Sequence, residues 1–304
     1  MRNIYFEGRR RQLANLPLFA HTYTFTSEDA KRFPDPSHPE ISPDTMVCYR
    51  NHFHSSIEIQ HVIEGAMHVE AGEDSFEAQA GDILMFNRYE PHFGCVDKSL
   101  PYVKYTYLKF DLEQMLHPGI TGGIPADLAN GKSTFVRRIR SEETGRLMDE
   151  IAAQCKDSGT DSSAELEITM LFFGVLHEID RAGGIRRNQP NVPGLPEFTL
   201  RMSEYIAKHY TEEITMEMLC EKFSYHPSYF CRLFKKHFGK PFFNYLEEYR
   251  ITQAVDHFLK NPDSRIPIGE LAARVGFPNY SRFSHSFKKI VGMSPTEYKN
   301  SRSM

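Results

Sequence analysis

No stretch of the chain reaches the roughly eighteen uninterrupted apolar residues that a membrane-crossing helix needs. The first residues, Met1 to Glu7, contain no apolar core of a secretory signal, so a cytoplasmic protein without a membrane partner is expected. Cysteine is scarce. Cys48, Cys95, Cys155, Cys220 and Cys231 are odd in number and never spaced C-x-x-C, which excludes a disulfide framework and a thiolate zinc site and fits a reducing compartment. A large charge of either sign is also missing, the formal net charge being only −4. That balance conceals an asymmetry: from Leu195 onward there are 16 Lys and Arg against 12 Asp and Glu, so the last third is basic on an otherwise acidic chain. A surface for nucleic acid, if the chain has one, belongs there.

At 304 residues, 40% of them hydrophobic, the chain is long enough for two folded domains. From about Thr22 to Asp111 short β-branched and aromatic runs alternate with Gly and Asp turns: Ser56–Ile63, Glu64-Gly65, Ala66–Glu70, then Gly81-Asp82 and Ile83–Phe86, and finally Tyr102–Phe110. Closely spaced strands of this kind predict a sandwich or jelly-roll barrel. From about Ser141 the period becomes helical, through Leu147, Ile151 and Ala152, then Leu166, Thr169, Met170, Phe173, Leu176, His177 and Ile179. The run Met170–Phe173 gives that second helix more apolar surface than a small barrel needs, so it is expected to help form a homodimer interface, with burial inside the domain as the alternative. Residues 183–196, rich in Gly and Pro without periodicity, are expected to be a linker between a sensing and dimerisation domain (1–182) and a DNA-binding domain (197–304).

The C-terminal domain repeats itself. Leu219–Phe223, Phe230-x-x-x-Phe234-Lys235-Lys236, Gly239 and Tyr245 return as Leu271–Val275, Phe283-x-x-x-Phe287-Lys288-Lys289, Gly292 and Tyr298, at an offset of 52 residues before a turn and 53 after it. A short helix, a turn and a second helix ending in Lys-Lys is helix-turn-helix grammar. In each second helix the phenylalanines form a core stripe, leaving Ser228, Tyr229, Cys231, Arg232, Lys235 and Lys236 outward in the first copy, and Tyr280, Ser281, Arg282, His285, Lys288 and Lys289 in the second. Between the copies, Pro241 to about Lys260 predicts one helix with an apolar stripe at Ile251, Ala254, Val255, Phe258 and Leu259. A helix of about twenty residues spans roughly 30 Å, close to the ~34 Å between successive major-groove windows.

Residues from about Phe198 to Lys299 resemble the DNA-binding domain of the AraC/XylS regulators, most specifically in Ile268–Phe277 followed by Tyr280-x-x-Phe283-x-x-x-Phe287-Lys288-Lys289-x-x-Gly292-x-Ser294-Pro295-x-x-Tyr298. The resemblance implies a DNA-binding transcription regulator, usually an activator that works with RNA polymerase, with one helix of each copy in adjacent major grooves. It also implies base-reading positions at Ser228, Cys231, Arg232, Ser281 and His285. Arg232 is the clearest candidate for bidentate contact with guanine, and the paired lysines are expected on phosphates.

In the N-terminal domain His52-x-His54-x3-Glu58-x6-Gly65 resembles the first cupin motif, and Gly81 to His92 the second, although the proline and glycine usual before its histidine are absent. The expected architecture is therefore α+β: a cupin-like jelly-roll barrel with following helices, then an all-α domain. His52, His54, Glu58 and His92 could hold a divalent metal, with His52 and His54 expected on one strand face. The favoured expectation is instead a metal-free pocket for a small polar, carbohydrate-like effector, rimmed by Arg50, His52, His54, Glu58, Phe86, His92 and Tyr105. A metal-dependent cupin enzyme carrying a DNA-binding module is the runner-up.

Overall fold

A computed structural model describes residues 16–26, 45–52, 54, 56–72, 74–97, 102–116, 122–157, 162–187, 197–260 and 266–300. The chain divides into two compact units, one built mainly on 40–200 and the other on 201–304.

The first unit is built on two main β-sheets and a two-stranded ribbon, backed by helices. Strands β1 (Leu18–Thr26), β2 (Thr45–His52), β3 (Ile57–Glu64), β4 (Ala66–Ala71), β5 (Asp74–Gln79), β6 (Asp82–Phe86), β7 (His92–Asp97) and β8 (Tyr102–Phe110) come first. Two short helices, α1 (Leu112–Met115) and α2 (Ile124–Ala129), lead to β9 (Thr134–Phe135) and β10 (Arg138–Arg140). Helices α3 (Glu142–Asp157) and α4 (Ser162–Arg181) and strand β11 (Ile185–Arg186) complete the unit. One sheet runs β1-β8-β3-β6-β10 and the other β2-β7-β4-β5, with antiparallel neighbours throughout.

Strand alternation divides the larger sheet into two chemically different faces. Leu18, Ala20, Ile57, Ile59, Ile83, Met85, Leu108 and Phe110 form one core with Leu147, Met148, Ile151, Ile168, Phe172, Val175 and Ile179 of α3 and α4. The opposite face carries Glu58, Gln60, Phe86, Tyr105, Tyr107 and Lys109. The buried stripe of α4 thus runs through Ile168, Phe172, Val175 and Ile179, whereas Leu166 and Met170, expected on its apolar face, are exposed at 65% and 68%. An apolar run around the whole helix leaves its orientation open in sequence, and packing against the sheet selects one side. Ile185 and Arg186, expected in the linker, instead pair with Phe135 and Thr134 as part of the first unit. Residues 188–196 of the expected linker lie outside the described residues.

The second unit consists of α5 (Glu197–His209), α6 (Met216–Phe223), α7 (Pro227–Phe238), α8 (Phe242–Lys260), α9 (Ile268–Arg274), α10 (Tyr280–Val291) and α11 (Pro295–Asn300). The sequence repeat is a structural one. Helices α6 and α9 both close on a left-handed residue, Ser224 (φ 57°) and Gly276 (φ 85°). The next N–H in each case reaches back five residues, Tyr225 to the Cys220 carbonyl and Phe277 to that of Ala272. Each second helix starts on a side-chain cap, from His226 and Asn279, and ends on a left-handed glycine, Gly239 and Gly292. Phe230, Phe234 and Phe238 are buried in the first copy, Phe283, Phe287 and Val291 in the second. Ile251, Ala254, Val255 and Phe258 of the expected α8 stripe are buried too, while the Leu259 side chain lies outside the described residues.

The two left-handed turn residues are not equivalent in space. A Cβ on Gly276 would stand 2.5 Å from the Tyr210 carbonyl oxygen and 2.9 Å from the Thr211 Cα. Gly276→Ala is therefore expected to destabilise the chain by at least ~1–2 kcal/mol. Ser224→Gly, which relieves a left-handed non-glycine residue, should stabilise it by up to ~1 kcal/mol. Urea unfolding of both variants checks this; shifts of the same sign would refute it.

Candidate effector site and nucleic-acid interface

Register places the polar face of the larger sheet in rows across four strands. Phe19, Lys109, Glu58 and Phe86 form one row, and His21, Tyr107, Gln60 and Leu84 the next. Tyr23, Tyr105 and Val62 form a third, with the Tyr23 and Tyr105 rings 5.9 Å apart. The second sheet contributes His92 at the start of β7, stacked on Phe86 at 4.3 Å, so the two sheets meet at Glu58.

His54, Glu58 and His92 are all buried, and one ligand atom from each lies within 4.8 Å of the others. His54 Nε2 is 3.0 Å, and His92 Nε2 3.8 Å, from Glu58 Oε2. Gln60 Nε2 donates to the other carboxylate oxygen at 2.7 Å. Both imidazoles spend Nδ1 on the main chain, His54 on the Ser56 carbonyl at 2.8 Å and His92 on that of Glu90 at 2.9 Å. A carbonyl only accepts, so Nδ1 carries the hydrogen in each ring, and the His54 Nε2–Glu58 hydrogen bond uses a second one, carried by that nitrogen or by the carboxyl.

The loops bearing these histidines are tied together. Tyr89, left-handed at φ 61°, donates its N–H to the His54 carbonyl at 2.8 Å. Glu90, whose carbonyl orients His92, accepts from the Asn87 N–H at 2.9 Å and from the half-buried Arg137 guanidinium at 2.5 Å. Asn87 is fixed in turn by the Phe135 N–H at 2.9 Å.

Burial, reinforced by the Lys109 charge, brings the His54 pKa down to about 4. Burial opposes ionisation of Glu58 as well, but its contacts with His54 and His92 outweigh that and hold the carboxyl well below the usual range. The 3.0 Å contact between His54 Nε2 and Glu58 Oε2 requires a hydrogen between them, so the cluster holds a proton shared by imidazole and carboxyl. A metal cation replacing that proton, or hydrogen-bonding groups of a ligand, would complete the site. The donor set of two imidazole nitrogens and one carboxylate oxygen suits zinc, iron, nickel or manganese, and the main-chain bonds to both Nδ1 atoms resemble the outer contacts that orient metal ligands.

Of the other expected rim residues, Phe86 and Tyr105 are buried. The Arg50 and His52 side chains lie outside the described residues. Strand β2 ends at His52, and His54 follows beyond it, so the expectation that both project from one strand face fails for His54. Glu58 is buried. Gln60, Tyr107, Lys109, His21 and Tyr23 were missed. The alternation Glu58, Gln60 was a usable sign for the first of them. His61 and His68 on strands β3 and β4 contact Asp149 and Glu77.

In the second unit Ser228, Tyr229, Cys231, Arg232, Lys235 and Lys236 of α7 are exposed, as are Tyr280, Ser281, Arg282, His285, Lys288 and Lys289 of α10. The opposite sides of both helices are packed into aromatic cores, so each helix presents one polar, basic face. Among the described residues no helix is long and apolar enough to cross a membrane.

A ligand-binding β unit joined to two helix-turn-helix motifs defines a one-chain transcription regulator. Residues 42–173 match the AraC-like ligand binding domain, and 219–301 a helix-turn-helix domain. The chain belongs to the AraC family: it is a DNA-binding transcription regulator with an N-terminal ligand-binding domain, and the enzyme reading falls away. The HTH-type transcriptional regulator YisR of Bacillus subtilis is 24% identical over 251 residues, covering 81% of this chain and 86% of that protein. HptR of Staphylococcus aureus is 36% identical over 95 residues, 31% of this chain and only 36% of its own length. ToxT of Vibrio cholerae, at 14% identity, shares the fold over 94% of this chain and 98% of its own, with a TM-score of 0.52.

The His54 shift has a consequence for stability. Its folded pKa of about 4 lies below the ordinary value of 6.5, so the unfolded chain takes up this proton first as pH falls. Stability is then lost progressively from about pH 6.5 down to about 4, by roughly 3 kcal/mol if the whole shift is expressed. Melting temperatures across this range should fall less steeply for His54→Asn than for the wild type. Parallel curves would show that another group governs the acid response.

Proposed function

We propose that the chain regulates transcription in response to a small polar effector bound between the two sheets, with DNA affinity set by occupancy of the His54–Glu58–His92 cluster. One observation carries this reading: two imidazole nitrogens and a carboxylate oxygen, all buried, converge within 4.8 Å. A ligand with several hydroxyls, such as a polyol or sugar, can exchange hydrogen bonds with them while its C–H faces pack on Phe86 and Tyr105. The same cluster supports a second reading, a resident divalent cation, because its donor chemistry fits one. We favour the organic ligand because the surrounding rows add Gln60, Tyr107, His21 and Tyr23, more polar groups than one ion needs.

The protein acts in the cytoplasm as a homodimer and, as family membership implies, as an activator with RNA polymerase as a partner. Support for the dimer comes from α4, whose exposed Leu166 and Met170 lie one turn apart opposite its buried stripe. After treatment with chelator the chain is expected to keep its melting temperature and to sediment as a dimer that Met170→Glu converts to monomer. Collapse on chelation, reversed by one divalent metal, would establish the cation; a wild-type monomer at micromolar concentration would remove the dimer.

DNA contact is divided between base reading and phosphate binding. Arg232 projects from the exposed face of α7, where a guanidinium can take guanine O6 and N7 together. Lys235 and Lys236, and Lys288 and Lys289, sit in the last turns of α7 and α10 and suit phosphates. Arg232→Ala is expected to cost ~1–3 kcal/mol on the operator and to relax choice at one base pair. Lys235→Ala should weaken every sequence alike and lower the salt slope. Indistinguishable profiles for the two variants on operator and random duplexes would refute the division.

A further inference from the structure

The two recognition helices are attached to the connecting helix α8 by different chemistry. Helix α7 is held by aromatic packing: Phe234 lies 5.2 Å from Phe242 and 5.8 Å from Tyr245 between ring centroids. Helix α10 has a polar attachment as well. The buried Ser286 hydroxyl donates to Glu247 Oε1, and the Arg282 guanidinium to Glu247 Oε2 at 3.3 Å. The repeat offset puts Leu233 and Tyr229 at the matching positions of the first copy, so this arrangement belongs to the second copy alone. The neighbouring Arg250 does not occupy the carboxylate: it donates to the Tyr210 and Glu212 carbonyls, each at 2.6 Å.

We propose that Glu247 is a positioning residue of the DNA-binding surface, aiming Arg282 so that this arginine reads a base from the second recognition helix. Arg282 is the third residue of α10, its N–H capped by Asn279 at 2.9 Å, and the N-terminal turn of a recognition helix is the part that meets base edges. Its side chain is 59% exposed while one end is held by the partly buried carboxylate. A free arginine must give up several rotatable bonds to present its planar fork. One already fixed at a single nitrogen gives up fewer and keeps other N–H groups for guanine. The carboxylate acts in a second way. A negative charge beside the DNA surface lowers attraction for phosphate on every sequence, so the same residue that aims the arginine suppresses indiscriminate binding.

The two effects have opposite signs on two kinds of DNA, and a merely structural role would not produce that split. Duplexes selected by the full-length wild-type chain from a randomised library serve as the specific probe, with a random duplex of equal length beside them. Glu247→Gln keeps an acceptor for Ser286 and removes the charge. It should weaken the selected duplex by roughly 5- to 100-fold, leave the random duplex unchanged or tighter, and lose preference at one base pair on reselection. Arg282→Lys, which keeps the charge and loses the fork, should lose the same preference. Once Arg282 is changed, Glu247→Gln should add nothing to the specific loss. Equal weakening on both duplexes, unaltered preference, or full additivity of the two substitutions would overturn the assignment. Should Glu247→Gln fail to fold, Arg282→Lys alone decides: retained preference at every base pair overturns it.

Discussion

Glu58 is a buried carboxylate between two imidazoles whose Nδ1–H groups are already committed elsewhere, and much of the first unit is arranged around it. Placing an ionised carboxyl there costs free energy unless donors or cations offset the lost solvent. Gln60 supplies one donor on the same strand face. The remaining oxygen faces the Nε2 atoms of His54 and His92, both rings turned by main-chain carbonyls, and the 3.0 Å contact with His54 places a hydrogen between them. The β6–β7 turn looks costly taken alone, with a left-handed Tyr89 and a buried Glu90 paired to Arg137. Its role becomes plain from what it holds, since Tyr89 grips the His54 carbonyl and Glu90 orients His92. Structure that expensive fits a site completed by a ligand.

The second unit answers a different constraint, the placement of two similar helices by one rigid connector. Its cores are closed by phenylalanines at the same relative positions in both copies, and the turns repeat their left-handed closure. Departures from the repeat are therefore informative. At the first turn a serine takes the left-handed position, whereas at the second a Cβ on Gly276 would collide with the Tyr210–Thr211 backbone. The Glu247 attachment is another such departure.

How much of this was legible in the sequence depended on the range of the contacts involved. The helix-turn-helix repeat was visible because helical period and turn chemistry are local, and two copies at a fixed offset check each other. His54, Glu58 and His92 were visible through motif spacing. Gln60, Tyr107, Lys109, His21 and Tyr23 were not, because they reach the site through strand pairing between β1, β8 and β3, segments more than thirty residues apart. The same applies to Glu247 and Ser286, separated by 39 residues. Strands β9 and β11 hold two residues each, too few for any period, and so β11 was absorbed into an expected linker. On α4, apolar residues all round gave no basis for choosing Ile168 and Phe172 over Leu166 and Met170 as the buried side.

Strand β3 joins the site to the helices that back the sheet. Its residues alternate between Glu58 and Gln60 on the polar face and Ile57, Ile59 and His61 on the helical face, so neither set can shift without the other. The outward contact is close: His61 Nδ1 lies 3.2 Å from Asp149 Oδ1, and a Cβ on Gly145 would stand 2.7 Å from the His61 ring. Helix α3 therefore rests its backbone almost directly on an imidazole carried by the strand that bears Glu58. Packed interiors resist small continuous displacements and tend to move between discrete arrangements. A ligand drawing on Glu58 and Gln60 accordingly acts on α3 through His61 and Gly145, and on α4 through the shared core of Ile57, Ile59, Ile168 and Phe172. The face of α4 pointing away from that core bears Leu166 and Met170, which places the proposed dimer surface one helix thickness from the effector strand.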